Sequence, residues 1–199
     1  MTKVILAAVT VGIISGYTWI PDAFIDATDL LLKIFLCILL VFVGIDLGKE
    51  GTVGSSVKQA GPRLLLFPVA VFVGTLLGCA VGSLFLPIGF WDSLMVGSGF
   101  GWYTLSPVLL ADYSTELAAI AFMHNVFREL VGIVLIPIVA KYIGYIECVS
   151  LPGAAAMDVC LPIVDKATQG KAVAFSFVTG VVLSIVVPSV IPILISIAS

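Results

Sequence analysis

Apolar residues run along this chain in blocks separated by short polar or Gly/Pro-containing breaks, and block length sets the first expectation. A bilayer core asks for about 20 apolar residues per helix. Residues 4–20, 30–47 and 62–86 approach or exceed that length; Lys33 and Asp46 sit near the ends of the second, and Pro62 opens the third. A fourth block, 93–111, is interrupted by glycines, hydroxyls and a proline. Residues 115–142 form one long run, about 40 Å if helical throughout at 1.5 Å per residue, so that helix is tilted, bent or protruding. Residues 146–164 are short, broken at Leu151-Pro152-Gly153, and carry Asp158. The last run, 172–198, holds Pro188 and Pro192, which predict a kink. The pattern predicts an all-α polytopic membrane protein, a single transmembrane domain over 1–199. It has six to seven membrane segments, two of them discontinuous or re-entrant.

Composition supports this and narrows it. Of the 199 residues 61% are hydrophobic and 11% charged, so nine basic and twelve acidic side chains are too few to coat a soluble domain. A formal charge of -3 without a basic cluster argues against a nucleic-acid partner. The four cysteines form no close pair, which excludes a metal knuckle and a redox CxxC; no metal site and no cofactor are expected beyond a coupling proton or sodium ion. Lys3 precedes the first apolar run, but no small-residue cleavage pattern follows, so 4–20 reads as a retained span. Asp22, Asp26 and Asp29 fill the next loop without a base, whereas 48–63 carries Lys49, Lys58 and Arg63 against Glu50. Counting positive charges puts the N-terminus and 48–63 in the cytoplasm.

The two breaks are the first candidate chemistry. In hydrocarbon, non-helical backbone survives only where protein or water lines it. Gly97, Gly99 and Gly101 allow another segment or a ligand to approach the main chain closely, and Thr104 and Ser106 add polar groups. Pro107 removes a donor and clashes with the carbonyl of residue 103, freeing backbone oxygens. In the second break Pro152 and Gly153 stand at the expected start of a half-helix, with Asp158 one to two turns in. Half-helix ends present partial charges that secondary transporters use for substrates and coupling ions. Gly74, Gly78 and Gly82, four apart in a clean span, read instead as a surface for tight helix packing.

The sharpest signal is a polar sector inside 115–142. His124 and Arg128 are four apart, as are Asn125 and Glu129, so each pair shares a face. Charged groups at this depth normally face a bundle interior or a water-filled path. Glu129 suits the ammonium group of a cationic amino acid, with Asn125 beside it and Arg128 available to a substrate carboxylate. A proton-coupled cycle needs a carboxylate that takes up a proton as substrate leaves; Glu129 comes first, then Asp112 or Asp158. The structural alternatives are an Arg128–carboxylate pair that locks helices and a His124 that merely packs.

These residues also carry a resemblance. The run 98–111, the stretch 124–137 with its Arg128-Glu129 pair, and Gly153-Ala-Ala-Ala-Met-Asp158 through Leu161-Pro162 are similar to the lysine exporter (LysO) family of bacterial inner-membrane proteins. Phe42-Val-Gly-Ile-Asp-Leu47 resembles the end of a span in the same family. The resemblance implies a multi-pass protein of the cytoplasmic membrane that exports L-lysine and toxic lysine analogues by antiport against protons or sodium, with the acidic residue at Glu129 required. It also implies the inverted-repeat bundle of bile-acid-type carriers. Ala154-Ala155-Ala156 departs from the family's Ala-Thr-Ser and loses two hydroxyls, which weakens a substrate role there. The chain resembles only the C-terminal two-thirds of familiar members. The expected partner is therefore a second copy, or a small membrane subunit of roughly 90 residues that supplies the N-terminal part, long enough at about 20 residues per span to be membrane-embedded. Two other classes compete: a scaffold or regulatory subunit that has lost transport, and an intramembrane enzyme. The second lacks His-Glu-x-x-His, Gly-x-Ser-x-Gly and paired Gly-x-Gly-Asp motifs.

Overall fold

The computed structural model describes residues 61–198, together with helical positions 10–12, 14–16, 18, 34, 38, 41 and 45. Two units divide the chain, Met1–Glu50 and Gly51–Ser199. In the first, Ser15 and Thr18 turn their hydroxyls back onto the carbonyls of Val11 and Ile14, each at 2.7 Å, the usual way a helix hides a hydroxyl. Most of the expected spans 4–20 and 30–47, with Lys33, Asp46 and the basic loop 48–60, lie outside the described residues.

The second unit is all-helical among the described residues. It contains α1 (Arg63–Gly82), α2 (Phe90–Gly97), α3 (Ser106–Ala111), α4 (Thr115–Tyr142), two 3-10 turns (Glu147–Ser150 and Gly153–Met157), α5 (Leu161–Thr168) and α6 (Val173–Ala198). Three of these, α1, α4 and α6, are long and apolar enough to cross a membrane. Of the expected segments, five fall in this unit, and among the described residues three of those are full-length candidate spans, because the helices in 93–111 and 146–164 have only six to eight residues and cannot cross alone.

Local chemistry explains the helix ends. Ser114 caps α4 by accepting the Leu117 amide at 3.2 Å; Glu116 in the first turn and Lys141 in the last complement the helix dipole. Pro107 lies in the first turn of α3. It does not break a helix, contrary to the expectation, because a first-turn N–H has no intrahelical acceptor anyway. The second half-helix likewise begins later than expected: Pro152 and Gly153 lead only into a 3-10 turn, and α5 starts at Leu161.

The core lies where α6 packs on the second 3-10 turn and on α1, and where α4 packs on α2, α3 and α5. Met95, Phe100, Leu110, Ala121, Leu183 and Val187 fill it. Gly74, Gly78 and Gly82 do not pack against another described helix: nothing lies within 4 Å of where a Cβ would stand. Helix α1 buries Leu64, Pro68 and Val71 in its first half instead.

Candidate functional site

The two breaks meet. After α2 ends at Gly97 the chain leaves the helix, and Phe100 and Gly101 adopt positive φ (48° and 97°) before α3 begins. In the other break Gly153 has φ 66°. The Ala154 amide donates to the Phe100 carbonyl at 2.7 Å, joining the segments main chain to main chain. A Cβ on Gly101 would stand 2.5 Å from Pro152 O, and one on Gly153 would run into Phe100 O. Phe100 is fully buried and stacks on Phe72 at 5.2 Å. A left-handed phenylalanine costs on the order of 1 kcal/mol, and such strain persists only where surroundings hold it.

Helix α4 runs beneath this crossing and supplies the hold. Asn125, wholly buried, accepts from the Gly101 amide at 2.7 Å and donates to Ala121 O at 2.8 Å. Arg128 donates through Nε to Leu151 O at 3.0 Å, and through Nη2 to Ser150 O at 3.3 Å and Thr75 Oγ1 at 3.2 Å. Both side chains, expected beside a substrate, have these polar atoms engaged with the scaffold. The partners named for Arg128 are neutral oxygens rather than a carboxylate, and two of them are carbonyls at the end of the first 3-10 turn, where helical acceptors go unused. Gly132 lets α4 approach closely, with Pro152 Cα 3.4 Å from a built Cβ.

Glu129 has a different environment. Its Oε2 is buried and has no hydrogen-bond partner among the described residues. An orphaned buried carboxylate oxygen is rare and calls for an exchangeable partner. Its charge lies within electrostatic reach of Asp158 and Tyr103. Asp158 accepts from the Val159 amide at 2.6 Å, and Tyr103 packs edge-on against Phe122. His124 Nδ1 and Ser106 Oγ are also buried without partners. Gly99 is pressed against Asn125 and Ser106, and Gly97 against the Cys79 sulfur.

The crossing therefore gathers Glu129, Asn125, Arg128, Ser106, Gly99, Gly101, Pro152 and Gly153, with Asp158 near Glu129. Thr104 is exposed, and Asp112 is exposed in the turn after α3. Glu129 lies about 20 Å along the α4 axis from Thr115, next to that turn. Sequence reasoning missed Thr75, and also Ser176, Thr179 and Ser184 on α6. Ser176 donates to Ala156 O at 2.6 Å, while the Thr179 and Ser184 hydroxyls are buried without partners among the described residues. Lone hydroxyls in apolar helices carry no periodic signal.

A cavity of about 590 Å³ lies elsewhere, at the Thr115 end of α4, lined by Asp92, Tyr113, Ser114 and Glu116 among others. Its deepest α4 residue, Ile120, is more than two turns from Glu129. Among the described residues no group of His, Cys, Asp and Glu is placed to hold a metal ion.

The profile of the lysine exporter LysO family matches residues 6–195. The chain belongs to that family. It is 33% identical to the lysine exporter LysO of Escherichia coli (strain K12) over 156 residues, which cover 77% of this chain and 51% of that protein. It is 29% identical over 183 residues to a protein of Haemophilus influenzae provisionally named a lysine exporter, covering 88% of this chain and 91% of that one. The chain thus spans about half the length of the Escherichia coli relative. No solved structure matches. Membership in the lysine exporter family, with three apolar helices of spanning length, puts the chain in a membrane.

Proposed function

We propose that this protein is a secondary transporter that moves L-lysine and its analogues out across the cytoplasmic membrane as a multi-pass protein, coupled to a proton or sodium ion. The observation that carries the reading is Glu129: a charge-bearing group midway along a spanning helix, one oxygen buried and without a partner among the described residues, beside two helix breaks in a lysine exporter family member. A lysine side-chain ammonium supplies the donors that oxygen lacks. Asp158, on the far side of the second break, is the second acidic group and the alternative carrier of a coupling proton. Neither a free Arg128 nor a free Asn125 is needed, because both serve the scaffold.

The pathway also needs walls that this crossing alone does not supply, and either a second copy of the chain or a small membrane subunit fits that need. A non-transporting scaffold or regulatory subunit of a split transporter is the second reading, favoured by the match to about half of the Escherichia coli protein. Flux of labelled L-lysine from proteoliposomes under imposed proton or sodium gradients separates the two. Gradient-dependent lysine flux supports the carrier; no flux, with co-purification of a transport-competent partner, supports the scaffold. Asp158→Asn is expected to reduce the gradient-driven rate about tenfold while lysine exchange without a gradient persists, as the loss of one carboxylate from a coupled pair predicts.

A further inference from the structure

We propose that Asn125 and Arg128 are positioning residues: from one side of α4 they clamp the two broken segments into a single unit, and neither touches the transported molecule. The transport readouts below rest on the lysine-carrier reading; the clamp itself does not.

The polar atoms trace a closed ring. Asn125 holds the Gly101 amide, and the adjoining carbonyl of Phe100 receives the Ala154 amide. The chain just before Ala154 hangs from Arg128 through Leu151 O and Ser150 O. Arg128 and Asn125 then close the ring through one turn of α4. At 100° per residue Asn125 stands in the middle of the polar sector, Arg128 about 60° to one side and Glu129 about 40° to the other. Arg128 and the orphaned carboxylate thus lie on opposite flanks of Asn125.

The chemistry fits this division. A planar guanidinium can reach two successive carbonyls and the Thr75 hydroxyl together, which a lysine ammonium on a flexible stem cannot do in the same geometry. Spending the cation on carbonyl ends also keeps it from competing with a substrate ammonium for Glu129. Because each link in the ring joins a different pair of segments, loosening one brace slackens both breaks, which then hang from the links that remain. A cycling carrier must therefore move the crossing as one body with α4.

Arg128→Lys and Asn125→Ala, in the full chain, test this by hydrogen–deuterium exchange and by lysine kinetics. Among the described residues Arg128 hydrogen-bonds Ser150, Leu151 and Thr75 and none of 97–105, yet Arg128→Lys is expected to speed exchange in 97–105 as well. Asn125→Ala is expected to do the same in 150–157. Maximal lysine flux falls about ten- to a hundredfold through misplacement of the site. KM stays within about twofold, and the preference for lysine over its decarboxylated diamine is unchanged, since no substrate contact is lost. Exchange that rises only in each residue's own partner segment overturns the clamp. So does a raised KM with lost preference in Arg128→Lys, which makes Arg128 the carboxylate-binding group. If wild-type protein moves no lysine, the carrier reading fails while the exchange data still decide the clamp. Should Asn125→Ala not fold, Arg128→Lys alone carries both readouts.

Discussion

Glu129→Gln is expected to abolish resistance to toxic lysine analogues in cells that depend on this protein, with the variant still present in the membrane fraction at wild-type abundance. The substitution keeps size and shape and removes only charge. It costs the fold little, because Oε2 has no partner among the described residues to lose. It costs a bound ammonium a great deal. Removing one member of a desolvated charge pair costs about 2–5 kcal/mol, and about 3 kcal/mol is already more than a hundredfold in affinity. Glu129→Asp, with the charge one methylene short, is expected to fall between the two. Growth on graded analogue concentrations, with an immunoblot of membranes, reads both quantities. Unchanged resistance in Glu129→Gln removes this carboxylate from the pathway.

Gly153→Ala is the second large effect, and it acts on the fold rather than the charge. The position has φ 66°, a left-handed conformation that costs a residue with a Cβ about 1–2 kcal/mol. The added methyl also runs into the Phe100 carbonyl, which cannot step aside without surrendering the Ala154 amide. Transport is expected to be lost and the melting temperature in detergent to drop by several degrees. Gly78→Ala is the matched control. It lies in an α-helix facing open space, where alanine is favoured over glycine by up to about 1 kcal/mol. Thermal unfolding followed by tryptophan fluorescence compares them. A Gly153→Ala protein as stable and active as Gly78→Ala contradicts the crossing.

Much of this architecture was legible because membrane segments advertise themselves by length and interruption. The range 115–142 reads directly as a helix, one long apolar run with no glycine pair inside to break it. The breaks read from glycines spaced by two and from Leu151-Pro152-Gly153. What each proline does was less legible. Pro107 and Pro152 signal discontinuity, but whether a proline ends a helix or opens one depends on which side the backbone bonds fall. The partners of Asn125 and Arg128 left no trace at all. The partners in the two breaks, Gly101, Ser150 and Leu151, offer main-chain groups more than twenty residues away in the chain, and backbone amides and carbonyls are identical in every sequence. The same blindness affects Gly74, Gly78 and Gly82, whose four-residue spacing marks a smooth surface without saying what faces it.

The most direct test of the central claim is to ask where lysine sits. A photoactivatable lysine analogue, bound to the full chain in membranes and crosslinked, is mapped by peptide mass spectrometry. The account predicts labelling of peptides spanning 97–107, 122–132 and 150–160, suppressed by excess L-lysine and lost in Glu129→Gln. Lysine-suppressible label confined to 87–92 and 113–120, around the Asp92 and Glu116 cavity, contradicts it.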